Sequence, residues 1–249
     1  MQCLPLFVRW EDYVPTYLPE GLRNVYFVQV GAHCGKNTRG CAVGGDPLFD
    51  YATRCGWRGL ALEPFAPVFT RLCRNYAPWP GVRPLRTAVS DFVGSATFVT
   101  GNKETNHLAK TWELQRPRPN VTVGVVRLAD VWREVDAPSV DVLVVDVEGA
   151  EPKVLAGDAL PHPQPILILF EHVHLSDDDQ QQIDRSLTAQ GYTQLAEFRY
   201  PAGSNLANYD RRLINRLYGK PRRRKRRVRE SAPSAPTVVL GDGVLGGVR

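Results

Sequence analysis

Three short, nearly unbroken apolar runs, Val25–Val30, Val140–Val145 and Ile166–Phe170, each stop abruptly at Gly31, Asp146 and Glu171. A strand with one face in water alternates apolar and polar residues. Strands that read as continuous apolar runs are covered on both faces, and that is the habit of parallel sheets. Between the runs lie segments with helical spacing. Strands alternating with helices give an α/β fold with a mostly parallel sheet and helices on both sides. With 249 residues, 43% of them hydrophobic, the chain has material for one sizeable core: one α/β domain plus appendages.

The pattern predicts strands at Val25–Val30, Arg58–Glu63, Val82–Val89, Val140–Val145, Ile166–Phe170 and Tyr192–Phe198, with a last strand at Leu206–Leu213. Asp46-Pro47 opens a helix that runs to Cys55 and stops at Gly56, because Asp accepts from free N–H groups and proline loses nothing at the first helical position. Pro67–Tyr76, Leu128–Val135 and Glu151–Ala156 read as further helices. Ser176 caps another that ends near Gly191, and Asp177, Asp178 and Asp179 complement the positive end of its dipole. Ser95–Thr100 and Val121–Val126 pair as a hairpin-like excursion around a polar stretch, residues 101–120, which is a candidate substrate lid. The Trp residues at 57, 79, 112 and 132 read as packing residues before ligand-stacking ones.

The net charge of +5 comes from one block. Residues 220–229 hold eight bases and no acid, and removing them leaves −3 for the rest. Basicity therefore belongs to a tail, which is expected to be disordered and to contact nucleic acid or another polyanion, or simply to aid solubility. The organisation expected is an N-terminal extension, residues 1–24, a catalytic domain, 25–215, and the basic Pro/Gly-rich tail, 216–249. No apolar run is long enough to span a membrane, and charges come too early for a signal peptide, so a cytoplasmic or nuclear, non-secreted protein is expected. Five cysteines, an odd number without CxxC spacing, read as free thiols.

The loop Gly31-Ala32-His33-Cys34-Gly35, followed by an acid, Glu63, at the tip of the next strand, is the layout of a site for an adenosine-containing cofactor. Glycines let the backbone approach a ligand, and the acid accepts from ribose hydroxyls. The middle glycine of the dinucleotide fingerprint is missing, which favours a cofactor without phosphates over NAD. S-adenosylmethionine is the common one.

Asp146, Glu148 and Glu151 follow a buried strand, and strand tips are where open α/β sheets bind ligands. A carboxylate there can orient a hydroxyl or take its proton. Acids at this point also serve as helix caps, the equal reading for Glu151. Glu171-His172-Val173-His174 closes the next strand, with both histidines expected on one face. A general base, a divalent metal held by carboxylate and histidine, and plain strand-end polar residues all stay open here. No metal ligand is assigned, and a divalent metal stays open without support.

The chain resembles the FkbM-type family of S-adenosylmethionine-dependent methyltransferases. The residues that carry the resemblance are Val28-Gln29-Val30-Gly31-Ala32, Gly35, Asp46-Pro47, Gly56-Trp57-Arg58-Gly59, Leu62-Glu63-Pro64, Asn75-Tyr76, Ala88-Val89-Ser90-Asp91 and Asp146-Val147-Glu148-Gly149-Ala150-Glu151. It implies a class I methyltransferase, Rossmann-like sandwich: α/β, seven strands, mostly parallel with the last antiparallel, helices on both faces. It also implies O-methylation of a sugar or other hydroxylated small molecule. Carried over by position, Gly31, Ala32, His33 and Gly35 line the methionine end of the cofactor, Glu63 holds the ribose, and Ser90 and Asp91 lie near adenine. Asp146 faces both the cofactor and the reacting centre, with Glu148, Glu171 and His172 as the other catalytic candidates. His33 stands where the family often has asparagine, and Cys34 is also atypical. Those departures motivate the alternative of an inactive, methyltransferase-like binding module acting through the basic tail.

Overall fold

The structure, a computed structural model, describes residues 13–18, 23–36, 46–100, 107–108, 119–155, 160–199 and 213–220. Its core is a seven-stranded sheet made of β1 (Tyr26–Val30), β2 (Arg58–Leu62), β3 (Val82–Leu85), β8 (Val142–Val145), β9 (Leu167–Glu171), β10 (Thr193–Arg199) and β11 (Leu213–Gly219). Across the sheet the order is β10-β11-β9-β8-β1-β2-β3. All neighbours are parallel except β11, which runs antiparallel to both β9 and β10. The sheet thus has the expected seven strands with the last reversed.

Successive strand residues point to opposite faces, and both faces are buried. Tyr26, Val28, Val30, Leu60, Leu62, Leu143, Val145, Ile168 and Phe170 pack against α4 (Leu128–Arg133), α5 (Glu151–Leu155) and α6 (Asp177–Ala189), through Val131, Val154, Leu155, Ile183 and Leu187. Phe27, Ala61, Val142, Val144, Leu167 and Leu169 pack the other way, against α1 (Val14–Tyr17), α2 (Phe49–Cys55) and α3 (Ala66–Tyr76), through Val14, Tyr51, Leu72 and Tyr76. Trp57 is among the most deeply buried side chains and stacks on Tyr51 with ring centroids 4.2 Å apart, while the Trp132 indole donates to the Pro163 carbonyl at 3.2 Å. For these two the packing reading holds.

A second, four-stranded sheet stands beside the first. It holds β4 (Ala88–Val89), β5 (Gly94–Val99), β6 (His107–Leu108) and β7 (Asn120–Val126), in the order β4-β7-β5-β6. The expected hairpin is its β5–β7 pair. The expected single strand Val82–Val89 splits instead, β3 closing the large sheet and β4 pairing with β7 in the small one. Arg86 and Thr87 form the break. The small sheet packs Phe98, Val123 and Val125 against Phe65, just past the tip of β2. Apart from His107–Leu108 and Pro119–Asn120, the polar stretch 101–120 lies outside the described residues, as do Met1 to Asp12 and the basic block beyond Lys220.

Helix starts obey the capping logic with shifted bounds. Asp46 Oδ1 accepts the Leu48 and Phe49 N–H groups at 2.8 and 2.7 Å, so α2 begins three residues after Asp46. Ser176 accepts the Asp179 N–H at 3.2 Å and opens α6. The last strand is Leu213–Gly219, and the segment expected to form it, Leu206–Leu213, falls outside the described residues up to its final residue. Arg216 anchors β11: it donates to Glu197 Oε1 at 2.6 Å, to both Asp184 oxygens at 2.9 and 3.0 Å, and to Gln180 Oε1 at 3.0 Å. The free-thiol expectation fails at two positions. Cys34 and Cys55 are disulfide-bonded, and Cys73 is the free thiol among the described cysteines. Sequence spacing cannot report which thiols folding brings together. No helix among the described residues is long and apolar enough to cross a membrane.

Candidate active site

The carboxyl ends of β1, β2, β8 and β9 converge on one edge of the large sheet, where the loops that follow them touch. Gly31 leaves β1 with φ +82°, and a Cβ placed on it would sit 1.7 Å from the Asp146 carbonyl oxygen. Only glycine permits that approach. The loop is fastened on its other side: the Gly31 and Ala32 N–H groups donate to the Leu62 carbonyl at 3.0 and 2.8 Å, and the Asn75 amide donates to the Cys34 carbonyl at 2.8 Å. Gly35, at φ +59°, lies against Leu72 and Tyr76 of α3 so closely that a Cβ would fall 2.5 Å from the Tyr76 ring. His33 also has positive φ, +47°, and Ala32 and Cys34 are buried. The sequence-predicted loop is therefore a tight turn packed against the tip of β2, the turn after β8 and α3.

Glu63 sits one strand over and is buried. Its Oε1 accepts the Phe65 N–H at 2.8 Å, and its carboxylate also takes the His33 N–H. Burial outweighs these two bonds and pushes its carboxyl up to about 7. Ser90 and Asp91 follow β4, not β3. Buried Ser90 donates its hydroxyl to Asp91 Oδ1 at 3.0 Å, and its N–H to the Val126 carbonyl at 3.0 Å.

Asp146 and Glu171 leave adjacent strands in matching register, since Val145 pairs with Phe170, and their carboxyls are hydrogen-bonded to each other. Such a bond requires a proton, so the two cannot both be ionised. Burial, then the charges of Asp146, Glu148 and Glu151, raise Glu171 well above the carboxylate range. At Asp146 crowding by protein and then the charges of Glu148 and Glu151 act the same way. Its own side chain is exposed, so here the neighbouring charges weigh more than the crowding.

The turn after β8 carries Glu148 at φ +58° and Gly149 at φ +100°. Glu151, 1% exposed, reaches back and accepts the Val147 and Gly149 N–H groups at 2.9 and 3.0 Å. Its cap-like reading is the one the geometry supports. The conformation it fixes aims Glu148 toward His174, with Glu148 Oε2 3.0 Å from His174 Nε2. His174 Nε2 is also 3.9 Å from Glu171 Oε2.

The two histidines part company. The strand ends at Glu171, and a turn closed by the Leu175 N–H on the His172 carbonyl breaks the alternation that would put both on one face. His174 joins the acids. Buried His172 faces the Arg216, Glu197, Asp184 and Gln180 network, and burial followed by the Arg216 charge lowers its pKa. The sequence named both histidines together but preferred His172, and it is His174 that the turn brings to Glu171 and Glu148. Sequence reasoning missed Gln29, the lone polar residue of β1, which donates to buried Asp46 at 3.0 Å.

The sequence profile of the methyltransferase FkbM domain matches residues 29–193, well over half of the chain. The chain belongs to the FkbM methyltransferase domain family. Among solved structures, this FkbM-domain chain is similar to methyltransferase FkbM from Methylobacillus flagellatus KT, at 13% identity and a TM-score of 0.50 over 80% of this chain. It spans 44% of that protein's length. It also resembles the Methanococcus jannaschii fibrillarin pre-rRNA processing protein, at 12% identity and TM-score 0.43, over 80% of this chain and 67% of that one. A third likeness is to precorrin-6y C5,15-methyltransferase from Geobacter metallireducens GS-15, at 12% and 0.43, over 80% and 82%. At these identities the likeness concerns the fold: a class I methyltransferase sheet with helices on both faces. No functionally curated protein matches the chain.

Proposed function

We propose that this FkbM-domain chain is an S-adenosylmethionine-dependent O-methyltransferase acting on a hydroxyl of a small molecule, a sugar or similar acceptor. The observation that carries the reading is the Gly31–Asp146 contact, because it sets a glycine loop with a buried acid on one side directly against a cluster of carboxyls on the other. The residues fit the cofactor. Gly31 and Gly35 let the loop turn tightly against the Asp146 carbonyl and the Tyr76 ring, and Glu63 offers a buried carboxylate of the kind that accepts from ribose hydroxyls. When bound, S-adenosylmethionine supplies a methyl group on a positively charged sulfur.

On this reading the protein's own residues divide the work as follows. Gly31, Ala32, His33 and Gly35 bind the amino-acid end through backbone, Glu63 accepts from the ribose, and Ser90 with Asp91 flanks the base. Asp146, exposed at the edge of the loop, accepts the hydrogen bond of the acceptor hydroxyl and aligns its oxygen. As the oxygen gains the methyl group, its proton passes to the Asp146 carboxylate, whose pKa is raised by burial and by the charges of Glu148 and Glu151. Glu148 and His174 border the same space. His172, turned toward the Arg216 network, serves the strand end and not the reacting centre.

Calorimetric titration with S-adenosylmethionine tests the reading. Micromolar binding that is lost in Glu63→Ala supports it, and absence of heat with the unaltered protein rules it out. Transfer of a labelled methyl group to a panel of hydroxylated acceptors then identifies the acceptor class.

A further inference from the structure

We propose that Glu148, Glu171 and His174 form a binding site for one divalent cation of the Mg²⁺/Mn²⁺ class, with Asp146 at its edge. Each of the three offers a ligand atom, and the three atoms all lie within 4.8 Å of one another. Donors at about 2.1 Å from an octahedral cation stand about 3 Å apart when adjacent and about 4.2 Å apart when opposite. The His174 Nε2–Glu148 Oε2 separation of 3.0 Å and the His174 Nε2–Glu171 Oε2 separation of 3.9 Å fall in that range.

The second observation is that the oxygens aimed into this space lack other employment. Glu171 is 8% exposed, its side chain 10%, and its Oε2 has no hydrogen-bond partner among the described residues. Glu148 Oε2, also shut off from solvent, is in the same position, since its approach to His174 does not have hydrogen-bond geometry. A buried carboxylate oxygen with nothing to bond destabilises a fold unless something compensates it. A cation bound by both would compensate both.

A second grouping, Asp146, Glu151 and Glu171, lies within the same span. It is the weaker one, because Glu151 already spends both oxygens on the Val147 and Gly149 N–H groups. Its contribution is indirect. By closing that turn it holds Glu148 in a left-handed conformation unusual for a non-glycine residue, and so points it at His174. The ligand set, two carboxylates and one imidazole, suits Mg²⁺ or Mn²⁺ better than a soft, thiolate-seeking metal. The His174 side chain is 32% exposed and gives the site an entry from solvent.

Cation binding stands on these residues alone. Its use in catalysis, holding the acceptor oxygen beside Asp146, rests on the methyl-transfer reading. The full-length chain, freed of metal by chelator, is titrated with Mn²⁺ and the free ion followed by electron paramagnetic resonance. One bound Mn²⁺ per chain is expected, with affinity reduced about 10- to 100-fold or more in Glu171→Gln and in His174→Ala. Asp136→Asn, an exposed surface change, should bind as the unaltered protein does. Circular dichroism confirms that each variant is folded, and Glu148→Gln replaces any that is not. Absence of binding, or equal binding in the ligand variants, overturns the site. S-adenosylmethionine binding measured on the same samples separates the two readings. Mn²⁺ bound without the cofactor leaves the site standing and removes the methyltransferase reading, and the converse removes the site alone.

Discussion

If Glu63 holds the cofactor ribose as proposed, affinity depends on pH in a direction its raised pKa sets. Burial raises its carboxyl from 4.5 to about 7 in the empty protein. Ribose hydroxyls donate to the ionised form, so ligand binding favours ionisation, and the proton must leave before or as the cofactor binds. Affinity is therefore greatest above pH 7 and falls below it. For a group with a pKa near 7 that must be ionised, the apparent Kd is about 11 times its limiting value at pH 6 and about 1.1 times at pH 8, a loss of about tenfold or 1.4 kcal/mol. Other groups titrate in this range, the ligand's amino group among them. Glu63→Gln, which cannot titrate, carries them all and supplies the baseline. It should bind about 10- to 150-fold more weakly at pH 8, the loss of a charge-assisted hydrogen bond of about 1.5–3 kcal/mol. Its remaining pH profile should then lack the tenfold component. Calorimetry at pH 6, 7 and 8 at fixed ionic strength measures both. Parallel profiles for the two proteins would refute the assignment of Glu63 as the ribose acceptor.

Other outcomes follow from the same geometry. Asp146→Asn should leave cofactor affinity within about threefold while methyl transfer falls by about 10²–10⁴, a loss of the proton acceptor that initial rates with labelled cofactor would register. Gly31→Ala would push a methyl group onto the Asp146 carbonyl, so a melting curve should show about 4 kcal/mol or more of lost stability, or no folded protein. Glu151 is raised to about 7 by burial, so the stability that comes with its neutral form is complete below pH 4.5 and declines up to pH 7, by about 3 kcal/mol. Denaturant titrations at pH 5 and pH 7.5 should show that decline on top of those of the other raised carboxyls, and Glu151→Gln should make the total decline smaller by about that amount. Arg216→Met leaves Asp184 and Glu197 without their partly buried partner and should lower stability by about 2–4 kcal/mol in the same assay.

The central strands were readable because burial on both faces leaves an unmistakable apolar run, as in Val142–Val145 and Leu167–Glu171. The tight turn of the loop was readable too, since glycine at positions 31 and 35 answers to contacts a Cβ would destroy. What escaped is set by through-space relations. Nothing in the run from Val82 to Val89 tells that its two halves join different sheets, because each half looks equally extendable until its partner is known. The disulfides of Cys34 and Cys55 are invisible for the same reason. The convergence of Glu148, Glu171 and His174 depends on two turns, one held by Glu151 and one closing after Glu171, that redirect side chains against the simple alternation of a strand.

The contact between Gly31 and Asp146 has a consequence for how such a protein can change over generations. The loop proposed to hold the donor and the turn proposed to begin the acceptor side meet through main-chain atoms of Gly31 and Asp146. Their separation is thus inherited with the sheet itself and not with any particular amino acid facing the acceptor. On the proposed function, acceptor preference can then drift through Glu148 or His174 while the reach of the transfer stays constant. For an engineer the proposed reading then divides the site in two: a donor side to be left alone, and an acceptor side open to redesign.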